Sequence, residues 1–103
     1  MKLLTKVITR KLLANSIASA VDPEVTIDHK PVLKLFTPFG GATWLFTELG
    51  DDLDTLFGYC DLGTGYPELG TASLSEFRQL GRRIERDRGF VADKTLSEYA
   101  KEN

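Results

Sequence analysis

The stretch VLKLFTPFGGATWLFTELGDDLDTLFGYC, residues 32–60, decides the fold. Three runs rich in apolar residues are separated by Gly40–Gly41 and Gly50–Asp52, and in the second run Trp44 and Phe46 share one face at a period of two. Alternation at a period of two is typical of strands that bury one face, and paired glycines accept the backbone angles of tight hairpin turns. The stretch therefore predicts three antiparallel strands, over residues 32–37, 42–48 and 54–60.

The residues that follow continue the hairpin pattern and then change to helix signals. A fourth short strand is predicted over residues 68–72. Ser73–Glu76 and Thr95–Glu98 each place a hydroxyl residue three positions before a glutamate, which is a capping box that opens a helix. We expect the first of these helices to end at Gly81. Between the two helices, residues 84–91 carry alternating charges and predict an edge strand.

On the N-terminal side, residues 5–18 predict a helix with Thr5 as its N-cap. The apolar residues that we expect to face the core repeat at near-helical spacing: Val7, Ile8, Leu12, Leu13 and Ile17. The predicted class is α+β, an antiparallel meander of four to five strands with an N-terminal helix and two short C-terminal helices, the helices packed on one face. Residues 1–103 suit a single domain.

The composition excludes several classes of protein. Hydrophobic residues make up 42% and charged residues 27%, as in folded globular chains. No apolar run approaches the ~20 residues of a membrane helix, and the charged N-terminus is unlike a signal peptide. One cysteine excludes an internal disulfide, and one histidine with one cysteine excludes a His/Cys zinc site. We expect a cytoplasmic bacterial protein with no metal and no cofactor.

Charge is distributed unevenly along the chain. Residues 35–77 contain seven acidic residues and no lysine or arginine, whereas residues 1–34 and 78–103 are each net basic. Such asymmetry bears on partners rather than on fold. The acidic candidates for partner binding are Glu48, Asp51, Asp52, Asp54, Asp61 and Glu68. The basic candidates for nucleic-acid binding are Arg78, Arg82, Arg83, Arg86 and Arg88.

No set of residues indicates catalysis. Cys60 and His29 are of the nucleophile and base types, but their spacing does not place them together and no third group is marked to orient the base. The aspartates of residues 51–54 lack the alternating acids, central glycine and final glutamate of a calcium loop. We therefore expect a non-enzymatic protein whose turn aspartates are solvated.

Short motifs form a collinear set along nearly the whole chain: Met1–Lys6, Phe36–Pro38, Thr43–Trp44, Thr47–Glu48, Leu56–Gly58, Glu68–Gly70, Ser73–Glu76, Ile84–Asp87, Phe90 and Leu96–Glu98. Their order and spacing resemble a bacterial family of small proteins of unknown function. Its members are found on plasmids, integrative and conjugative elements and phage, often beside antirestriction genes. The family has no established catalytic residues, so the resemblance implies no active site. The chain departs from the family pattern at Ala42 and Thr71–Ala72, where aromatic residues are usual.

The resemblance and the acidic segment together suggest an accessory protein of a mobile genetic element. We expect it to inhibit a host defence complex, a CRISPR effector or a restriction enzyme, by placing carboxylates in that complex's basic nucleic-acid groove. The alternative is a small nucleic-acid-binding module that uses the arginine cluster. Monomer and dimer both remain open, and no membrane partner is expected.

Overall fold

The computed structural model describes residues 2–63 and 65–102. Within these residues the helices and strands are, in chain order, α1 Lys6–Val21, β1 Leu33–Phe36, β2 Thr43–Leu49, β3 Thr55–Asp61, β4 Glu68–Ser73, α2 Leu74–Leu80, a 3-10 helix Gly81–Arg83, β5 Glu85–Arg86 and α3 Leu96–Lys101. The strands form one antiparallel sheet in the order β4-β3-β2-β1-β5. The predicted α+β class and the meander of β1 to β4 are confirmed.

The main core lies between one face of the sheet and helices α1 and α2. Leu35 of β1 and Phe46 of β2 contribute from the sheet, and Leu12 of α1 and Phe77 of α2 cover them. Phe77 meets Trp44 and Phe46 edge-on, at ring-centroid distances of 5.1 and 5.8 Å. Burying this apolar surface is the main stabilising contribution to the fold.

A smaller apolar cluster lies on the opposite face of the sheet. Leu45 directly precedes Phe46 in β2, so its side chain points away from the main core. It packs with Tyr59 of β3 and with Leu96 of α3. Helices therefore cover both faces, and the expectation of one covered face is wrong. The reason is that the central strands carry apolar residues on both sides, and each side needs a cover.

Helix α1 buries only part of the predicted stripe, because Ile8, Leu12 and Leu13 pack against the main core whereas Val7 and Ile17 do not. Leu12 is fully buried, but Val7 is 57% exposed and Ile17 is 67% exposed. The face that meets the sheet continues from Leu12 to Asn15 and Ser19, at helical spacing. Asn15 donates from its side-chain amide to the Thr47 carbonyl at 2.9 Å. Polar contacts thus replace apolar burial along the second half of the helix, which apolar spacing alone does not reveal.

The first and last residues of the helices are set by the capping residues that the sequence predicts. The Thr5 hydroxyl accepts a hydrogen bond from the Ile8 backbone N–H at 3.1 Å. Ser73 accepts in the same way from the Glu76 N–H at 3.4 Å. Gly81 ends α2 with a positive φ of 56°, a conformation that favours glycine. Helix α1 nevertheless runs past the predicted residue 18 to Val21.

The fifth strand is much shorter than the predicted residues 84–91. Only Glu85–Arg86 pair with β1. Directly after them, the Asp87 carboxylate accepts a hydrogen bond from the Gly89 N–H at 3.0 Å, which turns the chain away from the sheet. Strands β4 and β5 are the two edges of the sheet.

Candidate functional site

The six acidic candidates do not form one cluster. Glu48 and the three aspartates of residues 51–54 lie at the turn between β2 and β3, whereas Asp61 and Glu68 lie at the other end of β3. Strand β3 has seven residues, so the two groups are about 20 Å apart along the sheet. A single contiguous acidic surface would require both groups at one end.

Asp52 and Asp54 hold the β2–β3 turn and the start of α2. The Asp52 carboxylate accepts from the Thr55 hydroxyl at 2.6 Å and from the Thr55 and Asp54 N–H groups at 2.9 Å. The Asp54 carboxylate accepts from the Ser73 hydroxyl and the Ser75 N–H, both at 2.8 Å. The Thr55 and Ser73 hydroxyls are the main cause of the lowered pKa of Asp52 and Asp54 respectively. Both carboxylates are structural caps that stay ionised at neutral pH.

The remaining acidic candidates differ in their surroundings. Asp61 accepts a hydrogen bond from the Gly63 N–H at 2.8 Å within its own turn. Glu48 accepts one from the Ser19 hydroxyl at 3.2 Å. Asp51 and Glu68 are exposed. Asp51 and Glu68 are therefore the two acidic candidates best placed to meet a partner.

Basic side chains from two distant parts of the chain line a pair of adjoining cavities. The larger has a volume of about 780 Å³, and its lining includes Lys2, Arg78 and Arg82. The smaller, of about 310 Å³, is lined in part by Lys2, Lys6, Arg10 and Arg78. Because Lys2 and Arg78 line both cavities, the two lie side by side. We call this surface the basic groove and define it by Lys2, Lys6, Arg10, Arg78 and Arg82.

The walls of the basic groove are anchored to the core. Leu3, next to Lys2, is buried in the main apolar cluster. The Arg86 guanidinium donates to the Lys2 carbonyl at 2.7 Å and ties the N-terminal segment to β5. Phe77, next to Arg78, is buried against the sheet. The backbone positions of Lys2 and Arg78 are therefore fixed by the packing of their neighbours.

The structure separates the five predicted arginines. Arg78 and Arg82 line the basic groove. Arg86 holds the N-terminal segment through its bond to a backbone carbonyl. Arg83 and Arg88 are exposed and do not line either cavity of the groove.

The sequence reasoning missed the groove cations near the N-terminus. Lys2, Lys6 and Arg10 belong to a segment whose net positive charge is visible in the sequence. Nothing local shows that this segment packs beside the end of α2, about 70 residues later. The sequence feature that could have indicated the basic groove is the net positive charge that both ends of the chain share.

Cys60 and His29 lie in different parts of the molecule. Cys60 pairs with Trp44 across β2 and β3, and burial raises the pKa of its thiol, so the thiol is protonated at neutral pH. The His29 Nε2 atom is 2.9 Å from the Ser19 hydroxyl, which also donates to Glu48. A catalytic triad places its carboxylate on the histidine, whereas this carboxylate contacts the serine. These contacts connect the 22–32 loop to α1.

Residues 2–63 and 65–102 contain neither a cluster of metal ligands nor a helix that could span a membrane. No three side chains of histidine, cysteine, aspartate or glutamate come together there as a metal site. In the same residues, no helix has the length and apolarity needed to cross a membrane.

The fold and the basic groove define a small α+β protein with a cationic groove on its surface. The chain belongs to the family described as protein of unknown function (DUF2958), whose match covers residues 3–103. No curated protein and no solved structure matches it. The resemblance to a family of unknown function is thereby confirmed.

Proposed function

We propose that the protein binds nucleic acid through the basic groove. The observation that carries this proposal is the convergence of five cationic side chains, from residues 2–10 and 78–82, on two adjoining cavities. Neutralising phosphates with lysine and arginine releases condensed counterions, which supplies much of the affinity for nucleic acid.

The groove cations are arranged for phosphate contacts. Lys6 and Arg10 are four residues apart on α1, so they project from one face of the helix. Arg78 and Arg82 offer planar donor groups that bind phosphate oxygens in pairs. The first turn of α1 adds the partial positive charge of a helix N-terminus. These features favour a phosphate backbone over a small neutral ligand.

The acidic residues elsewhere do not cancel this attraction. The chain has a formal net charge of -2, but the lining of the basic groove contains one carboxylate, Glu85, against five cations. Exposed charges more than about 8 Å away are largely screened at physiological ionic strength. Binding is therefore governed by the local charge of the groove.

We expect Arg78→Glu combined with Arg82→Glu to weaken binding of a short single-stranded oligonucleotide by at least about tenfold at low salt. The slope of log affinity against log salt should fall by about 1 to 2, because two phosphate contacts are lost. Fluorescence anisotropy at several salt concentrations measures both quantities.

Arg83→Glu combined with Arg88→Glu is the matched control, since it changes the net charge equally outside the groove. We expect this control to change affinity by less than about threefold. Equal losses for the two pairs, with unchanged melting temperatures, would show that net charge rather than the groove governs binding.

We further propose that the protein is a non-enzymatic accessory protein of a mobile genetic element and works in the cytoplasm of the host bacterium. The collinear motifs that resemble a mobile-element family support this assignment. The chemistry of the groove also supports it, because cations and apolar side chains make up most of the lining and suit binding rather than catalysis.

A second candidate function is inhibition of a host defence complex, a CRISPR effector or a restriction enzyme, through the β2–β3 turn. The turn supports it because Asp52 and Asp54 are ionised and held rigidly beside the exposed Asp51. Such a turn presents fixed negative charge to a basic groove on another protein.

For this second function, we expect Asp51→Lys to reduce capture of a nuclease-resistant basic host complex by about tenfold, because it puts like charges opposite each other. Glu24→Lys, at an exposed position in a different loop, is the control and should leave capture unchanged. The measurement is quantitative mass spectrometry of retained host proteins. A partner that disappears after nuclease treatment would argue against inhibition and for nucleic-acid binding.

A further inference from the structure

The two edges of the sheet are protected to different degrees. Strand β5 has two residues, and both are charged. Strand β4 has six residues, of which Glu68 alone is charged, and Leu69 is 56% exposed. Natural edge strands are usually short, charged or covered, because an open edge pairs readily with another strand. Strand β4 has the features of an edge that accepts an added strand.

The backbone of β4 points hydrogen-bonding groups outward. The Leu74 N–H donates to the Asp54 carbonyl at 2.8 Å, in line with the β3–β4 ladder. In an antiparallel pair, every second residue is hydrogen-bonded to the partner strand. Gly70 is four residues before Leu74, so it also turns its N–H and C=O towards β3. Leu69 and Thr71 then turn theirs away from the sheet. These two residues present donors and acceptors to an incoming strand.

Beside β4 the sheet carries a cavity of about 250 Å³ with a floor of glycine. Gly58 and Gly70 pair across β3 and β4, and Trp44 and Glu68 also line the cavity. A Cβ atom added to Gly70 would meet nothing within 4 Å. The lining suits a lysine or arginine side chain, since glycines accept an apolar stem and the Trp44 ring and the Glu68 carboxylate attract a positive charge.

Carboxylates flank β4 at both ends. Glu68 begins the strand, and Asp54 bonds to Ser73 at its end. A second copy of β4 paired antiparallel would place Glu68 of one copy near Asp54 of the other, and like charges opposite each other are destabilising. An extended segment with basic residues has the complementary charge.

We propose that β4 binds an extended basic segment of a partner protein by strand addition, with one lysine or arginine side chain in the glycine-floored cavity. In this mode the backbone bonds supply affinity and the side-chain pocket supplies selectivity. The inference does not depend on the basic groove, which lies at the other end of α2 from Asp54. A partner segment on β4 and a nucleic acid in the groove would occupy separate surfaces.

The probe is a short synthetic peptide with lysines at both ends and valine alternating with threonine between them. We expect Gly70→Val to weaken its binding by about tenfold, because valine fills the cavity while suiting a strand. We expect a similar loss for Thr71→Pro, which removes an outward N–H that an edge strand does not need for its own pairing. Thr71→Val keeps that N–H and should bind the peptide as the unaltered chain does. Titration calorimetry gives the affinities, and thermal melting verifies that each variant is folded.

Two results would support the proposal further: amide shifts at Leu69 and Thr71 on peptide addition, and loss of binding for a peptide N-methylated at alternate residues.

Three results would overturn it. One is unchanged peptide affinity in folded Gly70→Val and Thr71→Pro. Another is equal binding of a peptide with glutamates in place of the lysines. The third is a stable dimer in light scattering that excludes the peptide from β4. Oligonucleotide binding, measured on the same variants, should be unchanged and so separates failure here from failure of the groove.

Discussion

Replacing Gly58 with alanine is expected to abolish the folded sheet at ordinary temperature. A Cβ atom at this position would lie 1.9 Å from the Leu45 carbonyl oxygen and 2.8 Å from the Phe46 Cα atom. Both atoms belong to the backbone of β2, so relief requires β2 and β3 to separate at the centre of the sheet. We expect the free energy of unfolding to fall by about 4 kcal/mol or more, which is comparable to the whole stability of a small domain.

Gly70→Ala is the matched control for Gly58→Ala, because the two glycines are paired in register and Gly70 has open space around it. We expect Gly70→Ala to be neutral or slightly stabilising, since alanine has less conformational freedom to lose than glycine. Urea unfolding followed by circular dichroism gives the stability of Gly70→Ala and shows whether Gly58→Ala retains a folded baseline. Equal unfolding midpoints for the two variants would contradict the close strand approach at Gly58.

Leu12→Ala is expected to destabilise the protein by about 2–5 kcal/mol, because its side chain is fully buried between α1 and the sheet and its removal leaves a cavity. Ile17→Ala, on the same helix, is expected to cost less than about 0.5 kcal/mol, because Ile17 is 67% exposed. The same unfolding measurement compares the two. An equal loss of unfolding free energy in Ile17→Ala and Leu12→Ala would show that Ile17 is packed in the core, as the sequence predicts.

Most of the sheet was predictable because its signals are local. Short apolar runs bounded by glycine-containing turns placed β1 to β4 within one or two residues of their observed bounds. The irregularity in β2 was not predictable, since the register with β3 shifts between Phe46 and Glu48. A β-bulge of this kind depends on the partner strand, and no local residue pattern marks it.

The packing of the helices was predicted less well, for a physical reason. Spacing of apolar residues identifies a helix but not which polar residues it buries. Asn15 and Ser19 meet β2 through hydrogen bonds, so they turn Ile17 towards solvent. Helix α3 lies on the second face because Leu45 and Tyr59 need a cover there.

The candidate sites depend on contacts between distant segments, and the sequence shows these least. The acidic residues of the middle segment are close in sequence but lie at two ends of β3. The cations of the basic groove are far apart in sequence but line one surface. Charge counts therefore show which residue types each segment carries but not how the fold groups them.

Nuclear magnetic resonance titration of the ¹⁵N-labelled protein with a short single-stranded oligonucleotide tests the central claim most directly. We expect amide shifts concentrated at Lys2, Lys6, Arg10, Arg78 and Arg82, and these shifts should diminish as salt is added. An oligonucleotide that produces no shifts at low salt, or shifts confined to residues outside the basic groove, would contradict it.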